Sequence, residues 1–185
     1  DLDSMDRAIS RIETLVTDIL DVARIDRGMF GLRTTSVDLG QLAREVSSLL
    51  DTPDNRIQLS TQQGEPVSVI GDPARLRQCL ENLVANAIQK SPKGVAVTVA
   101  VAKEVQANGV AQAVVEVIDE GPGIPEEMLP HLFERFYQAH AVSHQSGLGL
   151  GLYISREIVT LHGGTITAST QPGTGALFTI RLPLR

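Results

Sequence analysis

The first 26 residues place apolar side chains at intervals that suit a helix packing against another helix. The positions are alternately three and four residues apart, which is the seam of a coiled coil or a helical bundle. We expect residues 2–26 to form one half of a helical hairpin that dimerises. The alternative is an amphipathic helix docked on the following domain, but a seam this narrow favours a partner helix. The seam positions are Leu2, Met5, Ile9, Ile12, Val16, Ile19, Ala23 and Asp26.

The rest of the chain mixes helical and extended patterns. Gly28 and Gly31 begin a predicted linker over residues 27–37. Strands that mostly form hairpins, together with three helices, predict a two-layer α/β sandwich with a mixed, mainly antiparallel sheet. We expect the first two strands to pair around a turn at Gly64. Helices are predicted over 38–50, 73–89 and 150–162, and strands over 56–61, 66–70, 95–103, 110–118, 165–170 and 176–182.

Composition excludes several classes of protein. The net charge of the 185 residues is −6 and only 3% of them are aromatic, so neither a basic stripe nor a base-stacking platform for nucleic acid is expected. The single cysteine, Cys79, lies on the apolar stripe of a predicted helix, where we expect a buried thiol. No apolar stretch has the length of a membrane span. The chain begins within a helix and without Met, so we expect it to be part of a longer protein.

Two asparagines mark the best-defined predicted helix. Asn82 and Asn86 are four residues apart, which places them on one helical face. An amide oxygen suits a hard cation such as Mg²⁺, which takes few protein ligands. The alternative is a pair of solvated side chains, but asparagine is a poor helix former and two of them within a helix need a reason.

Asp119 ends a predicted strand and is followed by glycines. A carboxylate there can accept a hydrogen bond from an exocyclic amine such as that of adenine. Gly121 and Gly123 permit a positive φ and the close approach of a flat ring to the backbone. The alternative is an ordinary Asp-Gly turn.

A second glycine run leads into the last helix. Gly147, Gly149 and Gly151 precede it, and the free N–H groups of a helix start attract anions such as phosphate. The spacing is neither the GxGxxG of a dinucleotide fold nor a GxxxxGK[ST] loop. The alternative is a flexible connection.

Five segments together resemble the ATP-binding catalytic domain of sensor histidine kinases, within the superfamily of gyrase, Hsp90, histidine kinases and MutL. Their order and spacing agree with that domain across residues 36–185. Residues 1–30 resemble the second helix of the family's dimerisation and phosphoacceptor hairpin. The matching segments are 82–87, 119–123, 133–137, 147–152 and 173–183.

The resemblance implies ATP and Mg²⁺ as cofactors and gives roles to particular residues. Asn86 is expected to coordinate Mg²⁺, with Asn82 on the phosphate side. Asp119 is expected to bind the adenine amine, with Gly121 and Gly123 beside the ring. Residues 134–148 are expected to form a lid. The residues expected near the phosphates are Gly147, Gly149, Gly151, Lys90 and Arg135.

The chain departs from the superfamily's ATPases at one position. They carry Glu four residues before the metal Asn, whereas this chain has Asn82, and Glu81 lies about 100° around the helix. We therefore expect phosphoryl transfer, and not water activation. A superfamily ATPase or serine kinase and a degenerate binding module are the alternatives. Gln89 and Lys90 differ from the residues often found there, and Ala176 replaces a common hydroxyl.

The resemblance also implies partners, because the family transfers phosphate to a histidine on the hairpin. None of the four histidines has that sequence setting, so we expect the acceptor elsewhere in a longer kinase. A response regulator, a homodimer formed through the hairpin, no nucleic acid and a cytoplasmic location complete the expectation. A zinc site at His140 and His144 is disfavoured because no Cys or carboxylate accompanies them. The other two histidines are His131 and His162.

Overall fold

The computed structural model describes residues 2–62, 64, 66–138, 148–170 and 175–184. The helices within this part are α1 (Leu2–Asp26), α2 (Leu39–Leu50), α3 (Pro73–Lys90) and α4 (Gly151–Leu161). The strands are β1 (Thr35–Asp38), β2 (Ile57–Thr61), β3 (Ser68–Gly71), β4 (Val97–Val105), β5 (Ala111–Ile118), β6 (Thr165–Thr170) and β7 (Ala176–Pro183). A short 3₁₀ helix spans Glu126–His131.

A five-stranded sheet forms one layer, in the order β2-β4-β5-β7-β6. The β2–β4 pair is parallel, and the other three pairs are antiparallel. Alternate residues are buried in the first half of β4, and most residues of β5 and β7 that face the helices are buried. Helices α2, α3 and α4 contact the sheet. The predicted two-layer sandwich with a mixed, mainly antiparallel sheet is therefore confirmed. Residues that fill the interface include Leu83, Val99, Ile154 and Phe178, each at most 1% exposed.

Two local predictions were wrong. The segments 56–61 and 66–70 do not form a hairpin, because β2 pairs with β4, where Ile57 lies opposite Val97, while β3 pairs with β1. The predicted linker over 27–37 contains the start of β1, whose Val37 is opposite Val69. Only Val37 is fully buried in this strand, so its sequence has no apolar alternation. Its partner strand, distant in sequence, holds it in place.

Asp72 organises the junction between the linker and α3. Its carboxylate accepts hydrogen bonds from the backbone N–H groups of Arg33, Ala74 and Arg75, as an N-cap does. Burial alone would raise the pKa of Asp72, but these backbone donors, led by Arg33, outweigh it and hold the pKa below its usual value. The N-cap of α3 therefore also fixes the path of the linker.

His162 joins the start of α3 to the end of α4. Its Nε2 accepts the backbone N–H of Asp72 at 2.9 Å, and its Nδ1 lies 2.7 Å from the carbonyl oxygen of Ile158. Both contacts are hydrogen bonds in the tautomer that carries its proton on Nδ1. The ring also fills the space beside Gly71, where a Cβ would come within 2.8 Å of it.

Replacing His162 by Ala should lower the free energy of unfolding by about 1–3 kcal/mol, because the Asp72 N–H loses its acceptor in a partly buried place. Urea denaturation measures the change. His131→Ala is the matched control, since that ring is 51% exposed and should shift the midpoint little. Equal effects of the two substitutions would contradict the structural role of His162.

Helix α1 packs against the domain through a face other than its seam. Asp21 is 1% exposed, and its carboxylate accepts hydrogen bonds from Arg75 at 2.9 Å and Gln78 at 2.8 Å, both on α3. The guanidinium of Arg75 also lies 4.1 Å above the ring centre of Phe30. The seam itself is exposed at the positions Met5, Ile9, Ile12, Val16 and Ile19. The helix thus docks on the domain and still presents an apolar seam.

The thiol of Cys79 is buried between α3 and α4, as predicted. Its exposed fraction is 0%, and the Sγ atom lies 3.8 Å from the carbonyl oxygen of Ser155. Burial raises the pKa of the thiol to about 12, which keeps it protonated and unreactive. Among the described helices, none combines the length and apolarity needed to cross a bilayer.

Candidate functional site

A cavity of about 500 Å³ opens between α3, the end of β5, the start of β7 and the start of α4. Seven of the ten residues predicted for the site line it: Asn82, Asn86, Lys90, Asp119, Gly123, Gly149 and Gly151. Gly121 and Arg135 do not line it. Gly147 lies outside the described residues, as do His140 and His144. The fold therefore brings together residues that come from three separate segments.

The two asparagines of α3 face the cavity, and one of them is already engaged. The Nδ2 group of Asn82 donates to the carbonyl oxygen of Gly151 at 3.3 Å, which ties α3 to the first turn of α4. Within the described part of the chain, no hydrogen bond engages the side-chain amide of Asn86. Its amide oxygen is therefore available to a ligand. Glu81 does not line the cavity, in agreement with its expected direction.

Asp119 is the most constrained polar side chain of the site, because it is only 2% exposed. Its Oδ1 accepts the backbone N–H groups of Gly121 at 2.8 Å and Ala176 at 3.2 Å. Among the described residues, neither these donors nor any other bonds Oδ2. One carboxylate oxygen is thus held by the protein, and the other is left as an acceptor.

Close packing behind Asp119 restricts two positions to glycine. A Cβ on Gly175 would lie 1.8 Å from the carbonyl oxygen of Asp119, and φ there is +89°. A Cβ on Gly121 would lie 2.6 Å from the carbonyl oxygen of Lys90. Gly121 is therefore required by the packing of the turn on the end of α3. The neighbours of Gly121 therefore do not indicate the close approach of a ligand ring that we expected from the sequence.

The start of α4 lacks a side-chain cap. The N-cap position is Leu150, and no side chain bonds the first N–H groups of the helix. Such groups attract anions, and Leu150 and Gly151 both line the cavity. At Gly149 φ is +71°, and a Cβ would lie 2.6 Å from the carbonyl oxygen of Tyr137. The glycine before the helix thus lets the loop turn closely over Tyr137.

Arg135 points away from the cavity, contrary to the sequence-based expectation. Its guanidinium bonds both carboxylate oxygens of Asp26 and, at 2.7 Å, the hydroxyl of Tyr153. These hydrogen bonds, first that of Asp26, raise the pKa of Arg135. A guanidinium favours such a planar, bidentate partner. In this structure Arg135 therefore joins the loop after the 3₁₀ helix to α1, and it does not line the place expected for phosphates.

Several lining residues had no role in the sequence analysis. Apolar side chains form much of the wall, as is usual for ligand cavities, but apolar residues in a sequence do not reveal which of them face a cavity. Asp18 of α1 also lines the cavity. The only feature of the sequence that pointed to it is its position three residues, or about one helical turn, before Asp21. The apolar members are Ile124, Leu132, Leu148, Leu150, Leu152 and Phe178.

Alanine at the two glycines should have opposite consequences for stability. Gly149→Ala should lower the free energy of unfolding by about 1–3 kcal/mol, because the new Cβ meets the backbone of Tyr137 at a positive φ. Gly151→Ala is the matched control, since its Cβ would lie 3.6 Å from the nearest atoms of Asn82 and alanine favours helix. Chemical denaturation of both variants measures the difference. A Gly151→Ala protein that is the less stable of the two would contradict this packing.

The chain is similar to known proteins over nearly its whole length. Residues 71–185 match the family described as "Histidine kinase-, DNA gyrase B-, and HSP90-like ATPase". The signal transduction histidine-protein kinase AfsQ2 of Streptomyces coelicolor is 39% identical over 176 residues, which cover 94% of this chain and 31% of that protein. The chain thus spans about a third of the length of this relative.

Solved structures agree with the fold and with the resemblance noted in the sequence. Full-length ShkA in complex with AMPPNP has a TM-score of 0.80 and 26% identity, and the match covers 98% of this chain and 37% of that one. The Acinetobacter baumannii histidine kinase AdeS has a TM-score of 0.76 and 25% identity, covering 100% of this chain and 84% of that one. Both matches include α1 as well as the sandwich, since they span 98% or more of the chain.

Proposed function

Because the chain belongs to the family of histidine kinase-, DNA gyrase B- and HSP90-like ATPases, we propose that it binds Mg-ATP and donates the γ-phosphoryl group to a histidine of a dimerisation hairpin. The observation that carries the proposal is the meeting of three unlike groups in one cavity. A buried carboxylate, an unengaged asparagine amide and an uncapped helix start all line it. They suit an adenine amine, a divalent cation and a phosphate chain respectively.

Adenine recognition falls to Asp119 in this proposal. Oδ1 is occupied by the backbone of Gly121 and Ala176, so Oδ2 would accept the exocyclic amine. A guanine would present a carbonyl oxygen to the same atom, and two acceptors facing each other in a buried place are unfavourable. The apolar wall that includes Ile124 and Leu132 would cover the faces of the ring.

The metal would be held by Asn86. Its amide oxygen is a hard donor of the kind that Mg²⁺ accepts, and Mg²⁺ commonly takes one or two protein ligands together with phosphate oxygens and waters. Among the described residues, no group of three His, Cys, Asp or Glu side chains is placed to hold a metal without such help. The cation would neutralise charge on the phosphates, while Gly149, Gly151 and the start of α4 orient them.

Asn82 supports phosphoryl transfer over hydrolysis. A carboxylate base for water would stand at its position, but an amide cannot accept the proton, and the neighbouring Glu81 does not line the cavity. In the proposed reaction an imidazole nitrogen forms the new bond to the γ-phosphorus. The bond from that phosphorus to the β–γ bridging oxygen breaks, and ADP leaves. The protein contributes mainly positioning and charge stabilisation.

The acceptor histidine and the partners belong to the longer kinase. The exposed seam of α1, which includes Ile9 and Ile12, would pack in the helical hairpin of a homodimer. From the phosphohistidine the group would pass to a response regulator. We place these steps in the cytoplasm, where ATP is available, and we expect no role for nucleic acid.

Asp119→Asn should weaken ATP binding by on the order of tenfold or more, because the amide can satisfy the two backbone donors only by turning its NH₂ group towards the adenine amine. Isothermal titration calorimetry with ATP and GTP measures this. The preference for ATP over GTP should shrink with it, whereas Glu120→Gln, next in sequence and exposed, should change neither. Unaltered ATP affinity in Asp119→Asn would remove Asp119 from the adenine site.

Asn86→Ala should weaken binding of the Mg-ATP complex by on the order of tenfold and leave binding of ATP in EDTA nearly unchanged, because the side chain acts only through the metal. The comparison of calorimetry with Mg²⁺ and with EDTA therefore contains its own control. An equal loss under both conditions would mean that Asn86 contacts the nucleotide directly.

A further inference from the structure

Three carboxylates of α1 contact or border the rest of the domain, and one differs from the others. Asp21 is bonded by Arg75 and Gln78, and Asp26 is bonded by Arg135. Asp18 lines the cavity, and no ion pair or hydrogen bond from the described residues reaches it. Two carboxylates that are paired with arginines thus anchor the helix, and the third one lines the cavity.

Asp18 lies about one turn before the residue that anchors α1 to α3. Asp21 contacts Gln78, and Asn82 follows Gln78 by one turn on α3. Asp18 precedes Asp21 by about one turn on α1. Asp18 and Asn82 both line the cavity, so the anchoring of α1 on α3 leaves this carboxylate facing the same cavity as the asparagine that bonds Gly151.

The surroundings of Asp18 make its negative charge costly. Partial burial, and then the carboxylate of Asp21, raise the pKa of Asp18 to about 6. At pH 8 the group is still ionised. The other charged side chains that line the cavity, within the described residues, are Lys90 and Asp119. Lys90 is exposed and Asp119 is assigned to the adenine amine, so Asp18 is the carboxylate that remains to face a polyphosphate.

We propose that Asp18 makes the cavity selective for nucleotides whose phosphates are already bound to a divalent cation, and that it rejects metal-free ATP. This inference rests on the proposed nucleotide site. Metal-free ATP brings about two more negative charges than its Mg²⁺ complex, and repulsion between charges in a partly desolvated site is stronger than in water. The docked α1 would thereby act as a filter on the form of the substrate.

The test compares ATP binding by the whole chain at pH 8 in Mg²⁺ and in EDTA. Asp18→Asn should strengthen binding of metal-free ATP on the order of tenfold and change binding of Mg-ATP by less than about threefold. Asp18→Glu, which restores the charge, should reject metal-free ATP as the parent does. Glu13→Gln is the charge-matched control, because Glu13 is an exposed acid of the same helix, and it should alter neither affinity.

Each other outcome overturns the inference. If Asp18→Asn weakens binding of Mg-ATP, Asp18 is a metal ligand and not a filter. If it leaves binding in EDTA unchanged, or if Glu13→Gln has the same effect, the position of Asp18 has no special role. Absence of ATP binding by the parent in Mg²⁺ would instead contradict the proposed function. The Asn86 and Asp18 variants are also distinguishable. Asn86→Ala should change ATP binding in Mg²⁺, whereas Asp18→Asn should change ATP binding in EDTA.

Discussion

The burial of the Asp119 carboxylate is the constraint on which the site depends. A carboxylate that is 2% exposed is tolerated only where hydrogen bonds replace water, and each such bond to a charged acceptor contributes about 1.5–3 kcal/mol. Its donors are the turn after β5 and the first residue of β7, and these two strands are neighbours. A slip of one residue in that pair would remove the Ala176 donor and reverse the faces of β7. The register of the sheet and the position of the carboxylate are therefore fixed by the same contacts.

The sequence was sufficient for elements whose signals are local. Helix α3 follows from an N-cap, a proline at the first position and an apolar stripe, and the central strands follow from alternation. Strand β1 and the partner of β2 depended instead on segments distant along the chain. Thr35 pairs with Gly71, and Ile57 pairs with Val97. Such pairings are selected by the whole sheet, and a short, mostly exposed strand gives no periodic pattern from which to predict them.

The same division holds for the site. That Asn82, Asn86 and Asp119 would lie around one cavity could be predicted because the proposed chemistry restricts the residue type at each place. The direction of Arg135 could not, since it is set by Asp26, 109 positions away in sequence. Asp18 was missed for a related reason. Its neighbours in α1 suggested a seam for another helix, and only the docking of the opposite face shows that this acid borders the cavity.

Cys79 offers a way to follow the separation of two helices in this domain. Its Sγ atom lies beside the carbonyl oxygen of Ser155, between the helix that carries the asparagines and the helix that begins at the cavity. A thiol reagent can reach it only when those two helices separate, because its exposed fraction is 0%. The rate at which a reagent modifies this thiol therefore measures how often the α3–α4 interface opens. As the only cysteine in the sequence, it reports that opening without any engineered label.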